Sequence, residues 1–343
     1  MNHYPSNVKE KLNSIILSMA EHHWLFSKNP GHDFTRQHLG KLSFYDTMRL
    51  IISMGKGSTN DEIMDYFDLD PDLIPSQSAF CQRRRQISLS AFEYLFSEFS
   101  SSFPSTTDKF KDHCILACDG CHIVYATNSD IIEDYNKPRL IDYKGYNHMH
   151  LNGFVDVISK AFLDVVIQPG QQPDEREALH SMLDHFTPDD PQKYIITADR
   201  GYESYDLLFH CELKNLGYVF RVKSPSSPKS ILSYYASEFP DDLEEFDVTI
   251  KRFFTDKATN IMKSQSDVYR YINPSKNTPH FYELLRKKHS HLYFLQFRVV
   301  KIKTAENTYE YLITNLPFSF TLDDIRECYH WRWGIEISFR YLK

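Results

Sequence analysis

Cysteine, membrane-length apolar runs and positive charge are all in short supply. Six cysteines in 343 residues, Cys81, Cys114, Cys118, Cys121, Cys211 and Cys328, are too sparse for a disulfide-stapled secreted scaffold and read as reduced thiols. The amino terminus lacks a basic-then-apolar leader, and no apolar run approaches the roughly 18 residues of a membrane span. A cytoplasmic protein without a membrane partner is therefore expected. The 39 Lys and Arg fall short of the 46 Asp and Glu, giving a formal net charge of −7, which argues against a uniformly basic surface. Core-forming residues are plentiful: 41 % hydrophobic and 15 % aromatic residues exclude disorder and suffice for two or three domains with their own cores.

The last fifteen residues, Tyr329-His-Trp-Arg-Trp-Gly-Ile-Glu-Ile-Ser-Phe-Arg-Tyr-Leu-Lys343, hold Tyr329, Arg332, Glu336 and Lys343 at offsets 0, 3, 7 and 14. On a single helix these project within a stripe about 60° wide, so one carboxylate lies in a row of phosphate-seeking groups. The neighbouring arc, Cys328, Trp331, Ile335, Phe339 and Leu342, reads as an apolar stripe that docks on a core and aims the polar row into a cleft. Two further acids end or interrupt apolar strands. Residues 114–126 run Cys-Ile-Leu-Ala-Cys into Asp119-Gly, and residues 194–202 run Tyr-Ile-Ile-Thr-Ala into Asp199-Arg-Gly-Tyr. Alone, each has an ordinary reading: a turn for the Asp-Gly pair, a solvated helix face for Glu336.

Taken together, these motifs resemble the insertion sequence 4 family of bacterial DDE transposases, whose Y-(2)-R-(3)-E-(6)-K spacing Tyr329, Arg332, Glu336 and Lys343 reproduce. The resemblance implies an α/β RNase H-like catalytic domain, a mixed sheet flanked by helices. It implies that Asp119, Asp199 and Glu336 are the catalytic acids and hold two Mg2+ (or Mn2+) ions per active site. It also implies that Tyr329, Arg332 and Lys343 grip DNA phosphates. Independent chemistry favours such a trio, because hard divalent cations choose carboxylate oxygens and two of them stabilise both the attacking and the leaving oxygen of a phosphoryl displacement. The implied activity is DNA strand cleavage and strand transfer at insertion-sequence ends, or cut-and-paste transposition. The implied partners are double-stranded DNA with terminal inverted repeats, target DNA and further copies of the chain, in a nucleoid-associated setting. Family members usually carry a small hydroxyl residue where Cys121 stands. They also continue past the Lys that here is residue 343, so a carboxy-terminally shortened chain with a fraying last turn is expected.

Charge distribution softens the deficit of positive charge. Residues 211–304 carry 16 Lys and Arg against 10 Asp and Glu, a local excess that DNA contacts favour. It peaks at Arg286-Lys287-Lys288 and at Lys301 and Lys303, and Lys287 and Lys288 are candidate DNA contacts. Residues 1–107 read as a helical DNA-binding domain. Within it Ser58 caps one helix, and Ser76 or Ser78 caps a second helix that carries Arg83 and Arg84, as in helix-turn-helix readers. A polar linker is expected from Ser100 to Thr107. Residues 108–223 read as the first part of the catalytic domain, in the order three strands, helix, strand, helix, strand. A β-rich insertion over 224–317 and a Glu-bearing helix over 318–343 follow, the helix capped by Thr321.

Three other readings compete. An inactive or domesticated derivative would bind DNA without cutting it. The C-x3-C-x2-C spacing of Cys114, Cys118 and Cys121 is that of a radical-enzyme iron–sulfur site, although a strand would turn Cys121 away from the other two. His148 and His150 share one strand face and form a candidate zinc pair.

Overall fold

The computed structural model describes residues 4–35, 41–102, 109–137, 145–240, 242–273 and 278–342. The chain divides into two compact units, Met1–Pro104 and Ser105–Lys343.

The first unit is helical: α1 (Tyr4–Glu21), α2 (Phe44–Ser53), α3 (Thr59–Tyr66), α4 (Gln77–Gln86) and α5 (Leu89–Ser101). Hydroxyl side chains start three of them. Ser43 and Asp46 form a reciprocal capping box on α2, Ser58 caps α3 and Ser76 caps α4, each satisfying an otherwise orphaned amide. One core gathers Ile16, Met19, Met48 and Ala91, and a second gathers Leu42, Leu50, Ile63 and Phe80. The expected linker starts later than Ser100, because α5 stays helical through Ser101. Residues 103–108 lie outside the described residues.

The second unit is a mixed α/β structure on one ten-stranded sheet. Its elements are β1 (Cys114–Tyr125), β2 (Tyr135–Asn136), β3 (Tyr146–Asp156), β4 (Ala161–Pro169), α6 (Glu175–His185), β5 (Tyr194–Ala198), α7 (Tyr205–Leu213) and β6 (Gly217–Val222). These are followed by β7 (Phe246–Thr255), α8 (Asn260–Ser264), β8 (Tyr269–Tyr271), α9 (Pro279–Lys287), β9 (Leu292–Ala305), β10 (Thr308–Thr314), α10 (Leu322–Trp331) and α11 (Trp333–Leu342). The strand order is β2-β3-β1-β5-β6-β10-β9-β7-β8, with β4 paired to β3. β1, β5 and β6 run parallel at the centre, whereas β3 against β1 and β10 against β6 are antiparallel. Among the described residues the β-rich stretch extends the same sheet: β10 pairs with β6 and carries β9 and β7 outward from it.

Alternation along the central strands divides the core. Leu116, Cys118, Ile196 and Phe220 face α6, α7 and α9. Ile115, Ala117, Ile195 and Val219 face the other way, toward Cys328, Tyr329, Ile335 and Phe339 of α10 and α11. The two sets are nearly fully buried, as expected for parallel strands covered on both faces.

The carboxy-terminal helix departs from the single rod expected over 329–343. It divides at Arg332, where the Arg332 amide bonds the Tyr329 carbonyl (3.1 Å) and the Ile335 amide bonds the Arg332 carbonyl (3.1 Å), both i to i+3 contacts that tighten the turn. The apolar stripe is correspondingly shorter than the wheel implied: Cys328, Ile335 and Phe339 are buried, whereas Trp331 is 39 % and Leu342 53 % exposed.

Candidate active site

Sheet register brings the two aspartates together. Cys118 of β1 stands level with Ala198 of the adjacent parallel strand β5, so the next residue on each strand, Asp119 and Asp199, emerges at the same height, about one strand spacing apart. Asp119 belongs to the alternation that faces α10 and α11. The chain does not turn at Asp119-Gly120, since β1 continues to Tyr125. Asp199 instead ends its strand and caps a short 3-10 turn, accepting from the Arg200 amide at 2.6 Å.

The α10–α11 junction supplies the rest. The Arg332 guanidinium reaches Asp119 Oδ2 at 3.5 Å and Glu336 Oε1 at 3.1 Å. The Tyr329 hydroxyl donates to Asp199 Oδ1 at 3.3 Å, and Arg221 of β6 approaches the same oxygen at 3.4 Å while pairing with Glu310 at 3.0 Å. Asp119 and Glu336 thus pair with Arg332, which is only 3 % exposed, and Asp199 acts on its charge from beside them.

Their electrostatics differ. Burial pushes Asp119 up to about 6 against the pull of the Gly120 amide and Arg332, and Glu175 and Glu336 add to the rise. Burial acts on Asp199 in the same direction, but the Arg200 amide, Arg332 and Arg221 together hold it below its ordinary value. Burial raises Tyr329, which therefore stays a protonated donor. Burial opposes the charge of Arg332, yet Tyr329 and the three acids outweigh it and fix the guanidinium as charged.

Other candidates are placed elsewhere. Arg83 is turned inward: it is 8 % exposed, stacks 5.1 Å over the Phe34 ring and bonds Gln86 at 3.0 Å. Arg84, one position on, is exposed. Lys287 and Lys288 are exposed at the carboxy-terminal end of α9, Lys287 paired with Glu283 at 3.0 Å. Lys343 lies outside the described residues. Much of the basic excess of 211–304 is internal: Arg252 is paired with Glu238, Arg298 with Asp247, and Lys301 bonds the Leu243 carbonyl at 2.7 Å.

The cysteine reading is corrected. Cys118 packs with Tyr202 on one face of β1 and Cys121 belongs to the core of the other face, so no loop presents three thiolates together. Among the described residues the candidate zinc pair joins no group of three metal ligands: His148 is bonded to Asn136, and both His148 and His150 pack against the His122 ring at 4.7 and 4.8 Å.

Two residues of the site carried little sequence signal. Arg221 reads as one charge within an apolar strand. Glu175 reads as an ordinary first-turn helix acid, yet its carboxylate lies 3.3 Å from His150 Nε2 and against the backbone that follows both aspartates: a Cβ on Gly120 would stand 2.9 Å from Oε1, and one on Gly201 3.3 Å from Oε2.

An all-oxygen donor set with one strongly raised carboxylate suits hard divalent cations. Asp119, Asp199 and Glu336 are carboxylates that could hold them, with Arg332 paired to two of the three.

None of the curated proteins matches the chain. Among solved structures it is similar to a piggyBac transposase synaptic complex with hairpin DNA, with a TM-score of 0.43 and 10 % identity over 85 % of this chain and 55 % of that one. The chain thus spans about half the length of that protein. The model of the transposase DDE domain family matches residues 110–343. With more than half of its residues inside that match, the chain belongs to the transposase DDE domain family.

Proposed function

We propose that the chain is a cut-and-paste transposase of the insertion sequence 4 type, cleaving and rejoining DNA at element ends through Asp119, Asp199 and Glu336. The single observation that carries this reading is the meeting of those acids at the α10–α11 junction, Asp119 and Glu336 on Arg332 and Asp199 on Tyr329, with the two aspartates coming from adjacent parallel strands. The order of meander, helix, strand, helix, strand around parallel β1, β5 and β6 supports an RNase H-like catalytic domain.

Two Mg2+ or Mn2+ ions, when bound, activate the attacking oxygen and offset charge on the leaving 3′-oxygen. Asp119 contributes a carboxylate that burial makes reluctant to ionise alone and that favours a nearby cation. Asp199 is ionised beforehand and is held in orientation by the Arg200 amide, Tyr329 and Arg221. Glu336 is held by Arg332 from one turn away. Tyr329 and Arg332 present a neutral hydroxyl and a fixed guanidinium beside the acids, donors suited to the phosphate next to the scissile bond. Double-stranded DNA with terminal inverted repeats, target DNA and a second copy of the chain are the partners in this reading. Arg84, Lys287 and Lys288 are its exposed candidates for more distant phosphates.

The test is incubation of the purified chain with Mg2+ or Mn2+ and DNA carrying the inverted repeats that flank its gene. Metal-dependent nicking that vanishes with Asp119→Asn, Asp199→Asn or Glu336→Gln supports the proposal. Repeat-specific binding with no nicking in either metal assigns the chain instead as an inactive derivative that binds DNA.

A further inference from the structure

On the face of the sheet away from α10 and α11, three helices each deliver a histidine to one place: His180 of α6, His210 of α7 and His280 of α9. Their side chains are 12 %, 2 % and 13 % exposed. The rings lie nearly parallel, with centroids 3.8 to 5.1 Å apart and interplanar angles of 10° to 18°. One nitrogen from each ring falls within 4.8 Å of the others, a gathering of ligand atoms found in this group among the described residues.

Two carboxylates brace the stack. Asp206, 2 % exposed, accepts the His280 and Phe281 amides at 3.0 and 3.2 Å and His280 Nδ1 at 2.7 Å, and its Oδ2 faces His180 Nε2 at 3.7 Å. Asp184 faces His210 Nε2 at 3.2 Å. Among the described residues the ion-pair partners of Asp206 are histidines alone, with no Lys or Arg.

Nitrogen meets nitrogen at the centre of the stack: His180 Nδ1 lies 2.9 Å from His210 Nδ1, a contact that one shared proton or one metal ion satisfies. The outer nitrogens look onto carboxylates, His210 Nε2 onto Asp184 at 3.2 Å and His180 Nε2 onto Asp206 at 3.7 Å. Burial, and then the neighbouring imidazole His280, lowers both rings and favours the neutral form that binds a metal.

We propose that His180, His210 and His280 bind one transition-metal ion of the Zn2+ class. Such an ion takes the place of the proton shared between the two Nδ1 atoms, and His280, whose Nδ1 is held by Asp206, offers Nε2. Each ring then keeps its N–H on the outer nitrogen, where a carboxylate waits: Asp206 for His180 and His280, Asp184 for His210. That is the carboxylate–histidine–metal arrangement that fixes tautomer and ring orientation. Imidazole donors select Zn2+ and its neighbours over Mg2+, which separates this site from the all-carboxylate one. Coordination turns the rings out of their stack about χ2, a broad torsion for histidine. An open cleft of ≈ 800 Å³, lined in part by His180, Asp206 and His280, gives the ion access and leaves room for a water as fourth ligand. The ion would tie together the three helices that cover this face.

The test is metal binding. The full chain carrying Asp119→Asn, so that the catalytic acids contribute less, is stripped with a chelator and equilibrated with Zn2+ alone. One zinc per chain and a raised Tm are expected, and Co2+ in its place gives the visible absorption of a tetrahedral, nitrogen-bound ion. Adding His180→Asn and His280→Asn removes that zinc. Asp184 is 62 % exposed, so Asp184→Asn leaves the fold intact and weakens binding roughly 10- to 100-fold by releasing His210 from outside. The proposal is overturned if the parent chain binds no zinc, if the double variant keeps it, or if Asp184→Asn binds as tightly as the parent.

Discussion

Arg332 holds Asp119 at 3.5 Å across the boundary between the α10–α11 junction and β1, with Glu336 at 3.1 Å on the same guanidinium. This one buried cation is what makes a cluster of acids tolerable before any metal arrives. Replacing it by Gln leaves buried negative charge uncompensated, a change that typically costs roughly 3 kcal/mol. Thermal unfolding of Arg332→Gln in chelator should show a loss of that order, and millimolar Mg2+ should recover part of it. Equal losses with and without Mg2+ would mean that the ions and the guanidinium do not answer the same charge.

Asp119 links stability to pH. Its folded value of about 6 lies above the ordinary 3.8, so between those limits the folded state binds more protons than the unfolded state, and stability falls as pH rises. The two-unit gap corresponds to about 3 kcal/mol, all of it lost once the pH exceeds the folded value. Denaturant titrations of the metal-free parent and of Asp119→Asn at pH 4.5 and pH 7 should show it as a difference between the two, because the lowered His180 and His210 give both chains a slope of the opposite sign. Asp119→Asn should lack this contribution and be more stable than the parent at pH 7, although inactive. Metal binding at pH 5.5 should release a proton, measurable as a dependence of the binding heat on the buffer's ionisation enthalpy.

Tyr329→Phe removes the hydroxyl that donates to Asp199 at 3.3 Å while leaving the buried ring in place. A hydrogen bond to a charged group contributes about 1.5 kcal/mol or more, so single-turnover nicking should slow by about tenfold. Binding of repeat DNA in the absence of metal should change little. A variant that nicks at the parent rate would remove Tyr329 from the list of groups that orient the acids.

Neighbouring arginines on α4 should separate stability from binding. Arg83→Ala loses the packing over Phe34 and the bond to Gln86 and should destabilise the amino-terminal unit by about 1 to 2 kcal/mol. Exposed Arg84→Ala should leave stability within about 0.5 kcal/mol. If Arg84 contacts a phosphate, its loss lowers the slope of log affinity against log salt by about 1. An unchanged slope would confine this helix to a structural role.

Much of the mixed α/β architecture was legible because short apolar runs closed by Asp or Gly favour buried strands over helices. Those of β1, β5 and β6 stood out for this reason. The hydroxyl caps at Ser58, Ser76 and Thr321 were equally plain, since a small side chain before a helical pattern answers a local need for an acceptor. Spacing alone brought Tyr329, Arg332 and Glu336 into a common stretch. It could not show the tight turn at Arg332, because a wheel assumes uniform rotation and the i to i+3 contacts depend on packing against the sheet. Strand pairing was hidden as well: β10 joins β6 across a long excursion, and local pattern carries no information about so distant a partner. Arg83 illustrates the same limit, where a charge that reads as surface proves to be packed on an aromatic ring.

Gly120 shows how the second letter of an Asp-Gly pair can be imposed by crowding. Its φ is not positive and the strand passes through it, so backbone freedom is not what the position requires. A single added methyl would collide with His150 Nε2 at 2.2 Å and with Glu175 Oε1 at 2.9 Å, groups that belong to the opposite side of the sheet from Arg332. An alanine there would have to displace both the imidazole and the carboxylate. The vacancy of a side chain beside Asp119 is therefore what gives His150 and Glu175 room to lie against the strand.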